Sequence, residues 1–463
     1  LILTLGIHGV VPHASARPPA VTPQFAGGPN ILLIVTDDQR IGTMSVMPRT
    51  RFWFNKNGTK FAHAYATTPQ CCPSRSTLMT GQFAHNHSVS NNAQTADLNQ
   101  DATIQRYLHD NGYRTGLFGK FLNSWRGPPA FFDRWVMNNG SHRYYDGRWN
   151  VDGNIQRVPQ YSTDFIRDQT LQFIQESEGD DARPWYAYVS VLAPHTPAVP
   201  APEHAESSVP PFKPNRAMLE TSRRDKPGYV RHSEADLSNA EATRENQMRT
   251  LMSVDDMTEA VFSQMGLLGE IDNTIAVFMS DNGFLLGEHG LFGPTASKGN
   301  PYTAAIKVPF SIRWPGHFGT GVVDTRLATN ADLLPTLLEA AGIAPDPGYT
   351  VDGRSLLQPA SRHRVLTEYI HTPKTKTPSW ASIRTRRYQY IETYDWGTIG
   401  TSTEVYGDPG DRVINFREFY YLRGDPWQNH NVLADKKKKN DPNVRRLHRL
   451  LNRDQKCAGT NCE

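Results

Sequence analysis

The chain has 463 residues, enough for a sizeable core and for one large or two modest domains. Its charges nearly balance at a formal +3, so net charge alone excludes a strong field directed at polyanions or membranes. Pro (33) and Gly (35) are plentiful without a period, which argues for many loops on a rigid scaffold and against repeats or disorder.

Residues Leu1 to Val11 are mostly apolar and lead into Pro12-His13-Ala14-Ser15-Ala16. This pattern predicts the end of a secretory signal peptide over 1–16, with cleavage before Arg17, and hence an exported protein. Residues 17–29, rich in Pro and Gly, read as a linker. No later stretch approaches the ~18 consecutive apolar residues of a membrane span, so none is expected, and nothing points to nucleic acid. Asn30-Ile31-Leu32-Leu33-Ile34-Val35-Thr36 is a continuous β-branched run, as in a central parallel strand buried on both faces. It ends in Asp37-Asp38, either a helix N-cap pair or two carboxylates poised beyond a strand's carboxyl end to hold a hard cation.

Next comes Thr68-Pro69-Gln70-Cys71-Cys72-Pro73-Ser74-Arg75, a turn leading into a helix that runs toward Thr80-Gly81. Cys71 falls at the positive end of that helix, with Arg75 four residues on and able to face the same point. Such a cysteine is a depressed-pKa nucleophile, a target for modification, or one of two inert buried thiols. Residues 101–116 predict an amphipathic helix ending near Gly112, then a short strand and Gly119-Lys120-Phe121-Leu122-Asn123. A strand-like run from Trp185 to Leu192 is closed by Pro194-His195-Thr196-Pro197, where flanking prolines would aim the histidine as a general acid suits.

Residues 198–235 read as a long basic surface excursion, in which Arg223, Arg224 and Lys226 are solvated or meet an anionic substrate. Residues 238–268 are helical, with Asp255-Asp256 as a surface or capping pair. Ile275 to Met279 is another buried strand, followed by Ser280-Asp281-Asn282-Gly283. Asp37, Asp38, Asp281 and Asn282 together offer four oxygen donors. All-oxygen ligation with an amide favours Ca²⁺ over Zn²⁺ and leaves Mg²⁺ possible. His289 is a weaker candidate for a substrate contact. Beyond residue 360 the runs become shorter, predicting a small antiparallel sheet and a terminal helix over 360–463, next to a main domain over 30–359. Lys436 to Lys439 is a solvated linker or a surface for an anionic polysaccharide. Cys457 and Cys462 are placed to close a small disulfide loop.

Cys71-x-Pro73-Ser74-Arg75 with Thr80-Gly81, together with the Asp37-Asp38, Gly119-Lys120, Pro194-His195-Thr196-Pro197, Asp281-Asn282-Gly283 and Lys298 motifs in that order, resembles the formylglycine-dependent sulfatases. The resemblance implies an alkaline-phosphatase-like α/β fold, with a mostly parallel central sheet flanked by helices and a smaller antiparallel C-terminal sheet. It implies that Cys71 is oxidised to an aldehyde by formylglycine-generating machinery, and that its hydrate joins Asp37, Asp38, Asp281 and Asn282 around the cation. In the family's chemistry the hydrate attacks sulfur while Asp281 takes its proton. Arg75 orients the hydrate, Lys120 and Lys298 neutralise the sulfate, and His195 protonates the leaving alcohol. The second hydroxyl of the hydrate then lets the enzyme expel sulfate by re-forming the aldehyde.

Two positions depart from the family pattern: Leu122 stands where many members have histidine, and Thr303 where they have an acid. The Cys71-Cys72 doublet, Lys120 to Asn123 and Lys298 to Tyr302 look like the N-acetylglucosamine-6-sulfatase and heparan endosulfatase branch, and so imply a sulfated sugar substrate. The alternatives are a phosphonate or phosphate ester hydrolase on the same fold, and a non-catalytic glycan-binding relative.

Overall fold

The computed structural model describes residues 27–140, 142–179, 183–395 and 413–463. The expected export signal and most of the expected linker lie outside the described residues. Fourteen strands are described: β1 Asn30–Thr36, β2 Thr59–Tyr65, β3 Arg114–Gly119, β4 Arg134–Asn138, β5 Gly147–Val151, β6 Asn154–Val158, β7 Trp185–Ser190, β8 Thr274–Ser280, β9 Phe310–Arg313, β10 Val322–Thr329, β11 Val365–Tyr369, β12 Trp380–Arg384, β13 Tyr388–Tyr394 and β14 Ile414–Tyr421. The first ten form one sheet in the order β10-β2-β9-β8-β1-β7-β3-β4-β5-β6, and the last four a separate antiparallel sheet.

The centre of the large sheet, β8-β1-β7-β3-β4, is parallel, and antiparallel strands flank it on both sides. β1 explains the continuous apolar run read from the sequence. Its side chains alternate between two cores, Ile31, Leu33 and Val35 on one face and Leu32 and Ile34 on the other. A strand buried on both faces needs apolar residues at every position, and each fully buried aliphatic chain contributes roughly 1.5–3 kcal/mol. One face is covered by Leu78 and Met79 of the Cys71–Thr80 helix and by Leu333, Leu334, Leu337 and Leu338 of the helix Leu333–Ala340. The other is covered by the helices Ser162–Glu178 and Leu237–Leu268.

The helix expected over 101–116 is shorter, Ile104–Asp110, because Gly112 turns the chain and β3 begins at Arg114. The Asp255 carboxylate is a capping group, as expected, but a buried one: it accepts the Arg49 and Thr50 backbone N–H groups of a neighbouring helical segment. The small sheet carries the helix Val444–Asp454, whose Leu447 and Leu451 share a core with Ile383, Tyr390 and Phe419. The Cys457–Cys462 disulfide is formed beside it. No helix among the described residues is long and apolar enough to cross a membrane.

Candidate active site

Four neighbouring parallel strands, β8, β1, β7 and β3, end on the same edge of the sheet, and the motif residues follow directly from them. Asp37 and Asp38 follow β1, Asp281 and Asn282 follow β8, Lys120 follows β3, and His195 lies five residues after β7. This is where open α/β sheets place their ligands. Gly119 permits the close approach of β3 to β7. Its φ is +113°, and a Cβ there would overlap the Ser190 carbonyl, which accepts the Lys120 N–H at 2.8 Å.

β2 runs alongside and delivers the turn that starts the Cys71–Thr80 helix. That helix has no side-chain cap, and Gly81 ends it in the left-handed region at φ +68°. Cys71 is its first residue, so the helix dipole and the strand ends converge on one sulfur. The Cys71 Sγ lies 3.5 Å from Asp37 Oδ1 and 3.3 Å from Lys298 Nζ.

Around it the charges interlock. Lys120 Nζ donates to Asp37 Oδ2 at 2.5 Å, and Lys298 Nζ donates to both oxygens of Asp38 at 2.9 and 2.8 Å. Arg75, wholly buried, donates through Nε to Asp281 Oδ2 at 2.9 Å and through Nη1 to Ser190 Oγ and the Lys120 carbonyl. Asn282 Nδ2 donates to Asp38 Oδ1 at 2.7 Å, while its Oδ1 is buried with no partner. Arg75 Nη2 is likewise buried and unpartnered, 4.0 Å from Asp37 Oδ1. Carboxylate oxygens of Asp37, Asp38 and Asp281 lie within 4.8 Å of one another. Three acids and an orphaned amide oxygen, all buried, form the donor set of a hard cation. The residues present therefore fit the divalent ion that the resemblance implies.

Electrostatics separate the groups. Burial alone would raise the Asp37 carboxyl, but Lys120, His195, Arg75 and Lys298 hold it well below the usual carboxylate range. Burial raises Asp281 to about 6, with Asp37 adding to it and Arg75 opposing. Burial also pushes the Cys71 thiol far above its ordinary value, despite Lys120 and Lys298. Cys72 is pushed up to about 11 for the same reason. The depressed-pKa reading of Cys71 is thereby corrected: as a cysteine it is a protonated thiol, not a thiolate, because desolvation outweighs two nearby ammonium groups. His195 is lowered by burial and then by Lys298. Its Nδ1–H donates to the Thr196 carbonyl at 2.5 Å, leaving Nε2 to face Asp38 at 3.6 Å.

The cage opens on a cleft of about 1030 Å³ between the two sheets. Lys298 lines it together with the neutral amides of Asn91, Asn92, Gln94 and Asn123, and Lys374 stands on its far lip. Leu122, where many relatives have histidine, points into the core instead, while Asn123 reaches the cleft. The imidazole nearest that side is His142, which sequence reasoning missed. It comes from the loop between β4 and β5 and stacks on His195, with centroids 4.9 Å apart and planes 23° apart. Nothing periodic marks it; an isolated histidine carries no signal until the chain is folded.

Other readings are corrected. His289 is wholly buried, hydrogen-bonded to Glu220 at 2.7 Å and packed on Tyr302, so it meets no substrate. Lys226 is also buried, paired with Glu220 and Asp225, and pins the 198–235 excursion to the Asn429 carbonyl of the C-terminal region. At Thr303 the missing acid is replaced by a neutral contact: Arg384 donates to Thr303 Oγ1 at 3.1 Å, and Thr303 donates to Gln428.

Comparison with known proteins shows the family of the chain. Residues 29–343 match the family described as Sulfatase, and residues 287–456 match the one described as N-sulphoglucosamine sulphohydrolase, C-terminal. The chain belongs to the sulfatase family. Members of this family hydrolyse sulfate esters and generally use a formylglycine and a divalent metal. The chain is 36% identical over 358 residues to an extracellular sulfatase SULF-1 homolog of Drosophila melanogaster, which covers 71% of this chain and 31% of that protein. It therefore spans about a third of that relative's length. It is 28% identical to N-acetylglucosamine-6-sulfatase of Capra hircus, over 94% of this chain and 84% of that one. Among solved structures, a protein in complex with its substrate D-glucosamine-2-N,6-O-disulfate superposes with a TM-score of 0.79 at 23% identity, over 93% of this chain and 98% of the other.

Proposed function

We propose that this chain is a secreted sulfatase that hydrolyses the sulfate ester of a sulfated sugar, such as N-acetylglucosamine 6-sulfate. It would use an aldehyde made from Cys71, and Ca²⁺ in preference to Mg²⁺. One observation carries the reading: Cys71 is the first residue of a buried helix, held between Asp37 and Lys298 where four strand ends converge. A thiol kept protonated there is poorly suited to act as itself and well placed to be replaced. Residues 30–359 would form the catalytic domain and 360–463 a subdomain that supplies the far lip of the cleft.

Oxidised by the host's formylglycine-generating machinery, Cys71 would supply a nucleophilic hydroxyl as the aldehyde hydrate. The cation, held by Asp37, Asp38, Asp281 and Asn282, would supply neutralisation of the sulfate's charge. The remaining work falls to side chains of the chain itself. Asp281 lies beside Cys71 as the carboxylate to accept a hydroxyl proton, and Arg75 fixes its orientation through the 2.9 Å contact. Lys298 lies 3.3 Å from the Cys71 sulfur and Lys120 is bonded to Asp37 beside it, so both ammonium groups stand next to where the sulfate would sit. His195 presents Nε2 toward the leaving oxygen. The arriving anion offsets Lys298, which favours the imidazolium that must donate the proton. The substrate class is supported by the relatives' names and by the amide-lined cleft, whose neutral donors and acceptors suit sugar hydroxyls and an acetamido group.

The test is the mass of the tryptic peptide Phe61–Arg75 from protein secreted by its native host, paired with sulfate release from N-acetylglucosamine 6-sulfate. The expected result is an aldehyde at Cys71, an intact Cys72, and release. Full turnover with thiols at both positions would overturn the nucleophile. Release from aryl sulfates alone would overturn the substrate.

A further inference from the structure

Charge is distributed very unevenly over this chain. Residues 436–456 hold nine Lys and Arg against two Asp, a net +7, whereas the whole chain is +3; the rest of the molecule is therefore −4. The structure concentrates this charge further. The helix Val444–Asp454 buries Leu447 and Leu451 against the small sheet and turns Arg445, Arg446, Arg449 and Arg453 to solvent. Spacings of three and four residues place these arginines on one face, about 12 Å long at 1.5 Å per residue.

Three local features work against this arrangement. Like charges at i and i+4 repel. Arg445 and Arg446 lie in the first turn, at the positive end of the helix dipole, and that turn has no acidic residue. The helix's one acid, Asp454, is buried and committed to Arg364 at 2.6 and 2.7 Å. The exposed lysines Lys436, Lys437 and Lys439 precede the helix, and among the described residues neither they nor Arg445, Arg446 and Arg449 form an ion pair. A single linear polyanion lying along this face would relieve all three.

We infer that the face formed by Lys436–Lys439 and the outer side of the Val444–Asp454 helix is a docking surface for a sulfated polysaccharide chain, separate from the cleft that takes the scissile sulfate. The choice of polysaccharide rests on the proposed sugar-sulfate activity, since the same polymer would then carry the ester to be cleaved. Tethering by such a face raises the local concentration of esters at the cleft without altering the chemistry.

The experiment uses the full chain carrying Cys71→Ala, so that binding is read without turnover. Its affinity for heparin oligosaccharides is measured as a function of NaCl, beside a version with Arg445→Gln, Arg446→Gln and Arg449→Gln and another with Lys436–Lys439 changed to Gln. The expected result is a loss on the order of tenfold or more at physiological salt, and a shallower salt dependence, in both versions. With Cys71 restored, sulfate release from the monosaccharide ester is unchanged and release from the polymer falls. Unchanged heparin affinity would overturn the proposal. So would equal retention of chemically desulfated heparin, duplex DNA or anionic vesicles, each of which would make the face a general polyanion surface. Absence of monosaccharide turnover in the parent would instead overturn the proposed activity, because binding is scored independently.

Discussion

Among the regions of this molecule that bury ion pairs, two are built differently. Below the small sheet, Arg364 grips Asp454 through two bonds, and Arg362 grips Asp332, whose oxygens also accept the Thr329 and Arg354 N–H groups. None of the charged atoms of these two pairs is buried without a partner, and Arg364 also reaches Glu463 at 3.2 Å. At the Cys71 cage three acids face three cations, yet Arg75 Nη2 and Asn282 Oδ1 are buried and unmatched. An unmatched buried polar atom costs about 1–3 kcal/mol. A closed pair holds the fold together; an open cage keeps donors aimed at a place where something else must bind.

That contrast is sharpest at Cys71. Cys71→Ala should bring sulfate release below detection while leaving the melting temperature within a few degrees of the parent, since a small side chain replaces a small one. Retained turnover would mean that the cage works without its central residue. The reverse dissociation is expected at the closed pair. Arg364→Met leaves the buried Asp454 only the exposed Arg453, 3.8 Å away, and should cost about 3–5 kcal/mol of stability, with kcat per folded molecule unchanged. Denaturant melts alongside active-site titration would separate the two. A loss of kcat in the Arg364 variant would show that the closed pairs also shape the cleft.

Much of the cage was legible because its residues sit at the ends of strands. Continuous apolar runs announced β1 and β8, and Asp37-Asp38 after one and Asp281-Asn282 after the other read as a cation site only when taken together. What stayed hidden depends on packing between segments distant in sequence. Lys226 is indistinguishable from its solvated neighbours Arg223 and Arg224 until Glu220 and Asp225 close over it. Leu122 and Asn123 are adjacent, and only the fold decides that one faces the core and the other the cleft. The role of Asp255 was legible as capping, but not that the segment it caps begins two hundred residues earlier.

A third region tests whether buried charge at the small sheet is purely structural. Glu418 is wholly buried, accepts the Tyr302 and Tyr420 hydroxyls, and is raised by burial to about 7, against the opposing effects of Tyr420 and Lys226. The folded chain thus holds a proton that the unfolded chain releases near 4.5. Stability from this group is complete below that pH and is lost as pH rises through about 7. Glu418→Gln keeps the acceptor oxygen and removes the titration. The variant should gain on the order of 2 kcal/mol over the parent between pH 5 and pH 8. A stability difference that stays flat across that range would refute the assignment.

The smallest effect probes the edge of the open cage, where His142 stacks on His195. A stacked ring restricts rotation of the imidazole that is to donate a proton, and orientation of that kind is worth roughly tenfold in rate. His142→Ala should therefore slow hydrolysis of a sugar sulfate, whose alkoxide leaves only with a proton, by about that factor. An activated aryl sulfate, which leaves unaided, should be cleaved at nearly the parental rate. His142→Phe keeps a flat ring and should restore most of the loss. Equal slowing on both substrates would place His142 in substrate binding or folding. Failure of the phenyl ring to rescue, with the leaving-group difference intact, would mean that a nitrogen of His142 acts directly. His195→Ala gives the reference slope: if it shows no leaving-group dependence, the proton donor lies elsewhere, and the stack has no proton transfer to organise.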